Sequence, residues 1–238
     1  MRNYLIGAAL ACSVSTAALA APGLGDEIYG ATVESGEFEA EARYGALVGG
    51  PDDGEDRLKL EAAYGVNDRF RIGVVAEFEK EPGLPRKAGA LAIEAIYALG
   101  RVGSIDIAAY AEYEIALDGT DKVETKLLLQ RRTGPLDIRF NLIAEKPLDS
   151  AAQVALEYAF SADIETFGEL RLGVAAFGEL GTFRHFLPDA EHFAGPVAKL
   201  EIEGLGPELE LQAGYLFALG KARDGTNGQF RLTLGLEF

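Results

Sequence analysis

The sequence predicts an all-β fold, a closed antiparallel up-and-down transmembrane β-barrel of about twelve strands. Three observations predict it. Apolar and polar residues alternate with a period of two in twelve separate segments, as strands with one apolar and one polar face do. Short turns and longer polar loops alternate between those segments, the connection pattern of an up-and-down transmembrane barrel. No proline falls inside a predicted strand, where it would remove a ladder hydrogen bond.

The final segment is the clearest. Phe230, Leu232, Leu234, Leu236 and Phe238 alternate with Gln229, Arg231, Thr233, Gly235 and Glu237. A helix would mix Phe230, Thr233, Leu234 and Glu237 on one stripe and leave no usable face. From the start of the chain, the first strand sets Phe38, Ala40, Ala42, Tyr44 and Ala46 against Glu37, Glu39, Glu41 and Arg43. The second sets Leu58, Leu60, Ala62 and Tyr64 against Arg57, Lys59 and Glu61, and turns at Asn67-Asp68. The third carries Phe70, Ile72, Val74, Ala76 and Phe78, the fourth Leu91, Ile93, Ala95 and Tyr97. The fifth carries Ile105, Ile107, Ala109, Ala111, Tyr113 and Ile115.

In the sixth strand Leu127-Leu128-Leu129 interrupts the alternation, and Val123, Leu127 and Leu129 define the apolar face. Leu136, Ile138, Phe140 and Leu142 form the seventh; Val154, Leu156, Tyr158 and Phe160 the eighth; Leu170, Leu172 and Val174 the ninth. The tenth, starting at Pro196, carries Leu200 and Ile202, and the eleventh Leu209, Leu211, Ala213, Tyr215 and Phe217. Tight turns are expected near Asn67, Gly103, Gly134, Asp163 and Gly206. Longer loops are expected at 50–56, 81–87, 118–121, 146–150, 181–195 and 220–228.

Ahead of the barrel, Met1-Arg2-Asn3-Tyr4 is followed by an apolar run from Leu5 to Ala20 ending Ala18-Leu19-Ala20. This predicts a secretory signal peptide over 1–20. Residues 21–35 are then an N-terminal segment, either a periplasmic extension or a plug, and 36–238 the barrel. The single cysteine, Cys12, and the single methionine, Met1, both lie in the signal region, so no disulfide framework is expected. A net charge of −16 argues against a nucleic-acid partner, because phosphate contacts need clustered Lys and Arg.

Alternation alone also suits a soluble periplasmic β-sandwich. Width separates the readings. A ring of twelve strands is wider than the eight-stranded size that wall side chains fill, so an apolar interior would leave a void. The polar faces therefore turn inward and the apolar faces meet lipid, with no backbone edge left unpaired. Tyr64, Phe70, Tyr97, Tyr158 and Phe160 toward the turns, and Tyr44, Phe78, Tyr113 and Phe217 toward the loops, would make two interfacial girdles.

The signal region, the amphipathic strands and the closing Gln229-Phe-Arg-Leu-Thr-Leu-Gly-Leu-Glu-Phe238 resemble Gram-negative outer-membrane β-barrels. Ala108-Ala-Tyr-Ala-Glu-Tyr-Glu114 and Ala176-Phe-Gly-Glu-Leu-Gly181 are similar to a proteobacterial group of such barrels. The resemblance implies the outer membrane as location, with the lipid bilayer, lipopolysaccharide and the barrel-assembly machinery as partners. It also implies Phe238 as an assembly signal. This chain departs from the pattern in having Thr233 where a glycine is common.

Chemistry is sparse. His185 and His192 are the only histidines, so an outer-membrane enzyme of the Ser–His kind is disfavoured. His185, Asp189, Glu191 and His192 share the 181–195 loop and form a candidate surface metal site. Asp52-Asp53-Gly54-Glu55-Asp56 lacks the twelve-residue ligand spacing of a calcium loop. No cofactor is expected. The remaining constellation is the predicted lumen lining: Glu112, Glu114, Glu124, Lys126, Arg139, Arg171, Lys199, Glu201, Glu203, Glu208 and Glu210. Acids outnumber bases on the inward faces about two to one, which suits a narrow passive channel for small, cationic or polar solutes. The alternative is a closed structural or interaction barrel whose lumen is salt-bridged and transports nothing.

Overall fold

The computed structural model describes residues 21–202, 204 and 206–238; the expected signal peptide lies outside the described residues. Among these, twelve long strands are β1 (Phe38–Val48), β2 (Asp56–Asn67), β3 (Phe70–Lys80), β4 (Lys87–Val102), β5 (Ile105–Ala116), β6 (Lys122–Thr133), β7 (Leu136–Pro147), β8 (Ala155–Phe167), β9 (Leu170–Thr182), β11 (Glu191–Ile202), β12 (Glu208–Gly220) and β13 (Gly228–Glu237). β10 is a two-residue strand, His185–Phe186, that folds back on β9. Each long strand pairs antiparallel with its neighbours in sequence, and β1 pairs with β13 from Glu39↔Glu237 to Val48↔Gly228. The sheet therefore closes, and no long strand presents a free edge.

The two faces fall as the alternation requires. Val74, Ile93, Leu91, Leu60, Leu232 and Leu234 are exposed on the outside, while Glu41, Arg43, Glu61, Glu94 and Arg231 are buried within. Leaving a half-exposed Leu or Ile in water costs about 1 kcal/mol. Summed over the outer belt this reaches the order of tens of kcal/mol, more than the roughly 5–15 kcal/mol net stability of a domain. The exterior is complementary to lipid rather than to water.

Four local features differ from the sequence reading. β8 runs on to Phe167 and turns at Gly168, where φ is +57°, so Asp163 is inside the strand rather than at a turn. Tyr158 and Phe160 consequently lie in the loop-side half of β8, and Phe167 is the aromatic at its turn-side end. β11 begins at Glu191, five residues before Pro196. The proline is tolerated because the ladder to β12 skips from Ala194↔Phe217 to Val197↔Gly214, so no pair is asked of Pro196 on that side.

The fourth feature is Leu127-Leu128-Leu129. Leu127 and Leu129 face outward, whereas Leu128 points into the lumen and is fully buried. It packs with Tyr29, Ala31, Ile96, Ala108 and Tyr110. Two of these, Tyr29 and Ala31, belong to the N-terminal segment. The segment thus lies inside the barrel, in the space that wall side chains alone would leave empty.

Candidate functional site in the barrel lumen

Residues 21–35 cross the lumen from one mouth to the other. Ala21 lies at the loop side, beside Asp52, Glu55, Glu81, Glu191 and Ala222. At the turn side the Gly36 N–H donates to the Gly65 carbonyl at 2.7 Å, just before β1 begins. A turn over Pro22–Gly25 is closed by Leu24 N–H to Ala21 O at 3.0 Å and Asp26 N–H to Gly23 O at 3.1 Å. Gly45 on β1 makes room for this turn: a Cβ there would come within 2.6 Å of the Gly25 nitrogen.

Beyond Gly25 the segment is extended but joins no strand, so wall side chains take its main-chain hydrogen bonds. Asn141 accepts from the Tyr29 N–H at 2.9 Å and donates to the Tyr29 carbonyl at 3.0 Å. The Ala31 N–H donates to Gln130 Oε1 at 3.0 Å. Arg139 donates to the Ile28 carbonyl at 3.3 Å and Gln229 to the Pro22 carbonyl at 3.1 Å. Arg231 donates to the carbonyls of Gly23 and Asp26.

Side chains of the segment find partners as well. Lys59 Nζ meets Asp26 Oδ1 at 2.7 Å, and Arg43 Nη1 meets Glu27 Oε2 at 2.9 Å. Tyr29 donates to Glu94 Oε2 at 2.8 Å, with Lys126 Nζ over its ring at 4.8 Å. Leu24 packs among Phe177, Phe193, Leu216 and Leu47, a largely apolar zone nearer the loop side.

The wall charges are paired with one another. Arg43 Nη1 also reaches Glu41 at 2.7 Å and Glu61 at 2.8 Å, and Arg71 bridges Glu39, Glu61 and Glu94. Of the predicted lining, Lys126 pairs with Glu124 at 3.0 Å, Lys122 with Glu114 at 3.2 Å, and Lys199 with Glu201 and Glu210 at 2.9 and 2.7 Å. Glu112 accepts from the Tyr110 hydroxyl at 2.6 Å. Arg139 pairs with Asp137 at 3.1 Å and Arg171 with Asp163. Glu208 lines the same turn-side cavity as Glu201 and Glu210, and Glu203 lies outside the described residues.

Two cavities lie along the segment, the turn-side one beside residues 26–37 and the loop-side one beside Ala21. The turn-side one is about 480 Å³, lined by Glu34, Glu37, Arg132, Lys199, Glu208 and Glu237 among others. The loop-side one is about 320 Å³, lined by Asp52, Glu55, Arg57, Glu79 and Phe193 among others. They share no lining residue; between them stand Leu24, Phe177 and Leu216.

Of the four residues of the surface metal expectation, His185, Asp189, Glu191 and His192, no three bring their ligand atoms together. His185 sits on β10 opposite Thr182. His192 is part of β11, not of a loop, and its Nδ1 lies 3.3 Å from the Tyr158 hydroxyl. The Glu191 N–H donates to Glu179 at 3.3 Å. Among the described residues, the one place where three such ligand atoms converge is Glu27, Glu41 and Glu61. Arg43 already occupies its centre, within 2.9 Å of all three carboxylates.

Sequence reading missed the residues that hold the segment: Asn141, Gln130, Gln229, Leu128, Tyr110 and Phe177. A signal for Leu128 and Phe177 exists. Where both faces of a strand are apolar, as at Leu127-Leu128-Leu129, Leu142-Ile143, Ala176-Phe177 and Tyr215-Leu216-Phe217, the inward residue meets something other than water.

A closed antiparallel barrel of this kind has solved counterparts. The KdgM porin superposes with a TM-score of 0.57 at 9% identity, over 84% of this chain and 98% of that one. The chain folds as an outer-membrane β-barrel. The NanC porin matches this barrel with a TM-score of 0.55 at 10% identity, over 84% and 98%. An outer membrane channel from Pseudomonas putida F1 matches with 0.54 at 13% identity, over 86% and 96%. At these identities the likeness is one of fold. No protein-family model and no curated protein sequence matches the chain.

Proposed function

We propose that this barrel is a passive, non-enzymatic channel of the bacterial outer membrane for small polar solutes, with a preference for cations. Residues 21–33 keep it closed in the state described. One observation supports the reading: the lumen is occupied by a segment that runs into β1 at its Gly36 end and is held mainly by wall side chains, with cavities of about 480 and 320 Å³ beside it. A barrel meant only as a scaffold has no need of an interior wide enough to hold a second chain segment. The porin and channel folds it shares support the same reading. The bilayer, lipopolysaccharide and the assembly machinery are its expected partners.

Planar-bilayer recording on the refolded chain 21–238 tests the proposal. Wild type should be mostly silent with rare openings. Gly45→Val, whose new side chain collides with Gly25 and Leu24, should open far more often. Silence of both proteins, each migrating as a folded barrel on unboiled gels, would favour the closed salt-bridged barrel instead.

A further inference from the structure

We propose that the lumen wall is a binding track for an extended acidic peptide, and that residues 21–33 are its tethered occupant. The inference rests on the channel reading only for what an empty track would conduct; binding itself does not depend on it.

The first support is how the segment is held. Asn141 satisfies both main-chain groups of Tyr29, and Gln130 takes the N–H two residues on, at Ala31. That two-residue step is the repeat of an extended chain. Together with Arg139, Gln229 and Arg231, the wall addresses five carbonyls and two N–H groups of the segment. Contacts of this kind are available to any extended polypeptide, and side-chain pockets then set the choice.

The pockets read Leu24-Gly-Asp26-Glu27-Ile-Tyr29. Leu24 enters the apolar zone at Phe177, Asp26 meets Lys59 and Glu27 meets Arg43. Tyr29 enters a cage of Tyr110, Lys126 and Glu94. The ligand class is thus a peptide with an apolar residue in a glycine-flanked turn, followed in an extended stretch by two consecutive acids and an aromatic residue two positions further on.

The second support is that the Gln130–Asp137–Arg139 part of the track is fixed by the wall rather than by its occupant. Gln130 Nε2 is held by both Asp137 oxygens at 3.0 Å, and Asp137 by Arg139 at 3.1 Å. Gln130 therefore keeps its orientation without the segment, whereas the Asn141 side chain takes Tyr29 as its hydrogen-bond partner and is free to accept and donate to an incoming main chain once the segment leaves. The tether at Glu34-Ser35-Gly36 is exposed and offers a point of scission that spares the wall.

The test uses the full chain 21–238, refolded with a site-specific protease sequence inserted after Ser35 and cut only after folding. Boiled and unboiled gel migration reports that the nicked barrel stays closed. Two readouts follow: retention of the cut fragment, and uptake of a fluorescent synthetic 21–33 peptide measured by anisotropy. Either retention or saturable uptake is expected. Asn141→Ala in the barrel, or Tyr29→Ala in the segment, should weaken it tenfold or more, and a scrambled peptide should not compete. A fragment lost at once with no uptake by a folded barrel, or equal uptake of the scrambled and Tyr29→Ala peptides, overturns the proposal. Specific uptake in a nicked barrel that never conducts would refute the channel and leave the track. Conductance without specific uptake would do the reverse.

Discussion

Tyr29 and Tyr110 meet at 4.9 Å between ring centroids, tilted by 35°, and both hydroxyl oxygens lie within hydrogen-bond distance of the same Glu94 Oε2, at 2.8 and 3.0 Å, the Tyr110 hydroxyl being shared with Glu112 at 2.6 Å. Tyr29 comes from the N-terminal segment; Tyr110 and Glu94 come from β5 and β4 of the wall. The pair is therefore a joint between occupant and barrel. Tyr29→Phe removes one bond but leaves Glu94 with Tyr110 and Arg71, so the segment should loosen by only about 1 kcal/mol. Tyr29→Ala also empties an aromatic site and should cost about 3–5 kcal/mol of docking. Hydrogen exchange at Tyr29 and Ala31 checks the order, with Ala fastest and wild type slowest, while barrel amides such as those of β13 stay protected.

Arg43 is the cation that Glu27, Glu41 and Glu61 share, while Glu61 has a second partner in Arg71. Arg43→Met strands buried carboxylates and should cost about 3–5 kcal/mol, because an uncompensated buried charge costs more than the pair gained. A compensating Arg43→Met, Glu41→Gln double variant should recover part of that loss. Urea unfolding in detergent reads both; an unchanged single variant would show that water already solvates the site.

Phe38 and Phe238 close the barrel seam. Each donates its N–H to the other's carbonyl, at 3.2 and 2.9 Å, and their rings meet at 5.9 Å. Deleting Phe238 removes both bonds and the ring contact at the turn-side end of the β1–β13 ladder. Refolding yield should fall and the gel-shift temperature should drop, whereas Phe238→Tyr should behave as wild type. In cells, the deletion should also lower outer-membrane levels if Phe238 serves as an assembly signal.

Opened by Gly45→Val, the pore should prefer cations, but weakly. Inward acids exceed bases, yet Arg57, Lys59, Lys122, Lys126 and Lys199 are each bound to carboxylates, which cancels most of the field beyond a few ångströms. The acids around the turn-side cavity, Glu34, Glu37, Glu208 and Glu237, should dominate. The reversal potential under a potassium chloride gradient should lie on the cation side and move toward zero at high salt. Reversal on the anion side at low salt would refute the acidic-lumen reading.

The alternation by itself determined the strands, their number and the direction each face points. A strand's side chains must alternate, and a proline costs a ladder hydrogen bond, which marks most boundaries but not the start of β11, where Pro196 lies inside the strand. It determined the lipid-facing belt for the same reason. What fills the lumen was decided only in three dimensions. Residues 21–35 have no periodicity, because their hydrogen bonds go to Asn141, Gln130, Arg139, Gln229 and Arg231, each more than 95 residues away in the chain. Their place depends on a lumen whose width comes from closing β13 onto β1, and no local pattern encodes that distance. Closure likewise turned the row of inward charges from a pore lining into pairs, since Arg43 could meet Glu27 only once the segment had entered the ring.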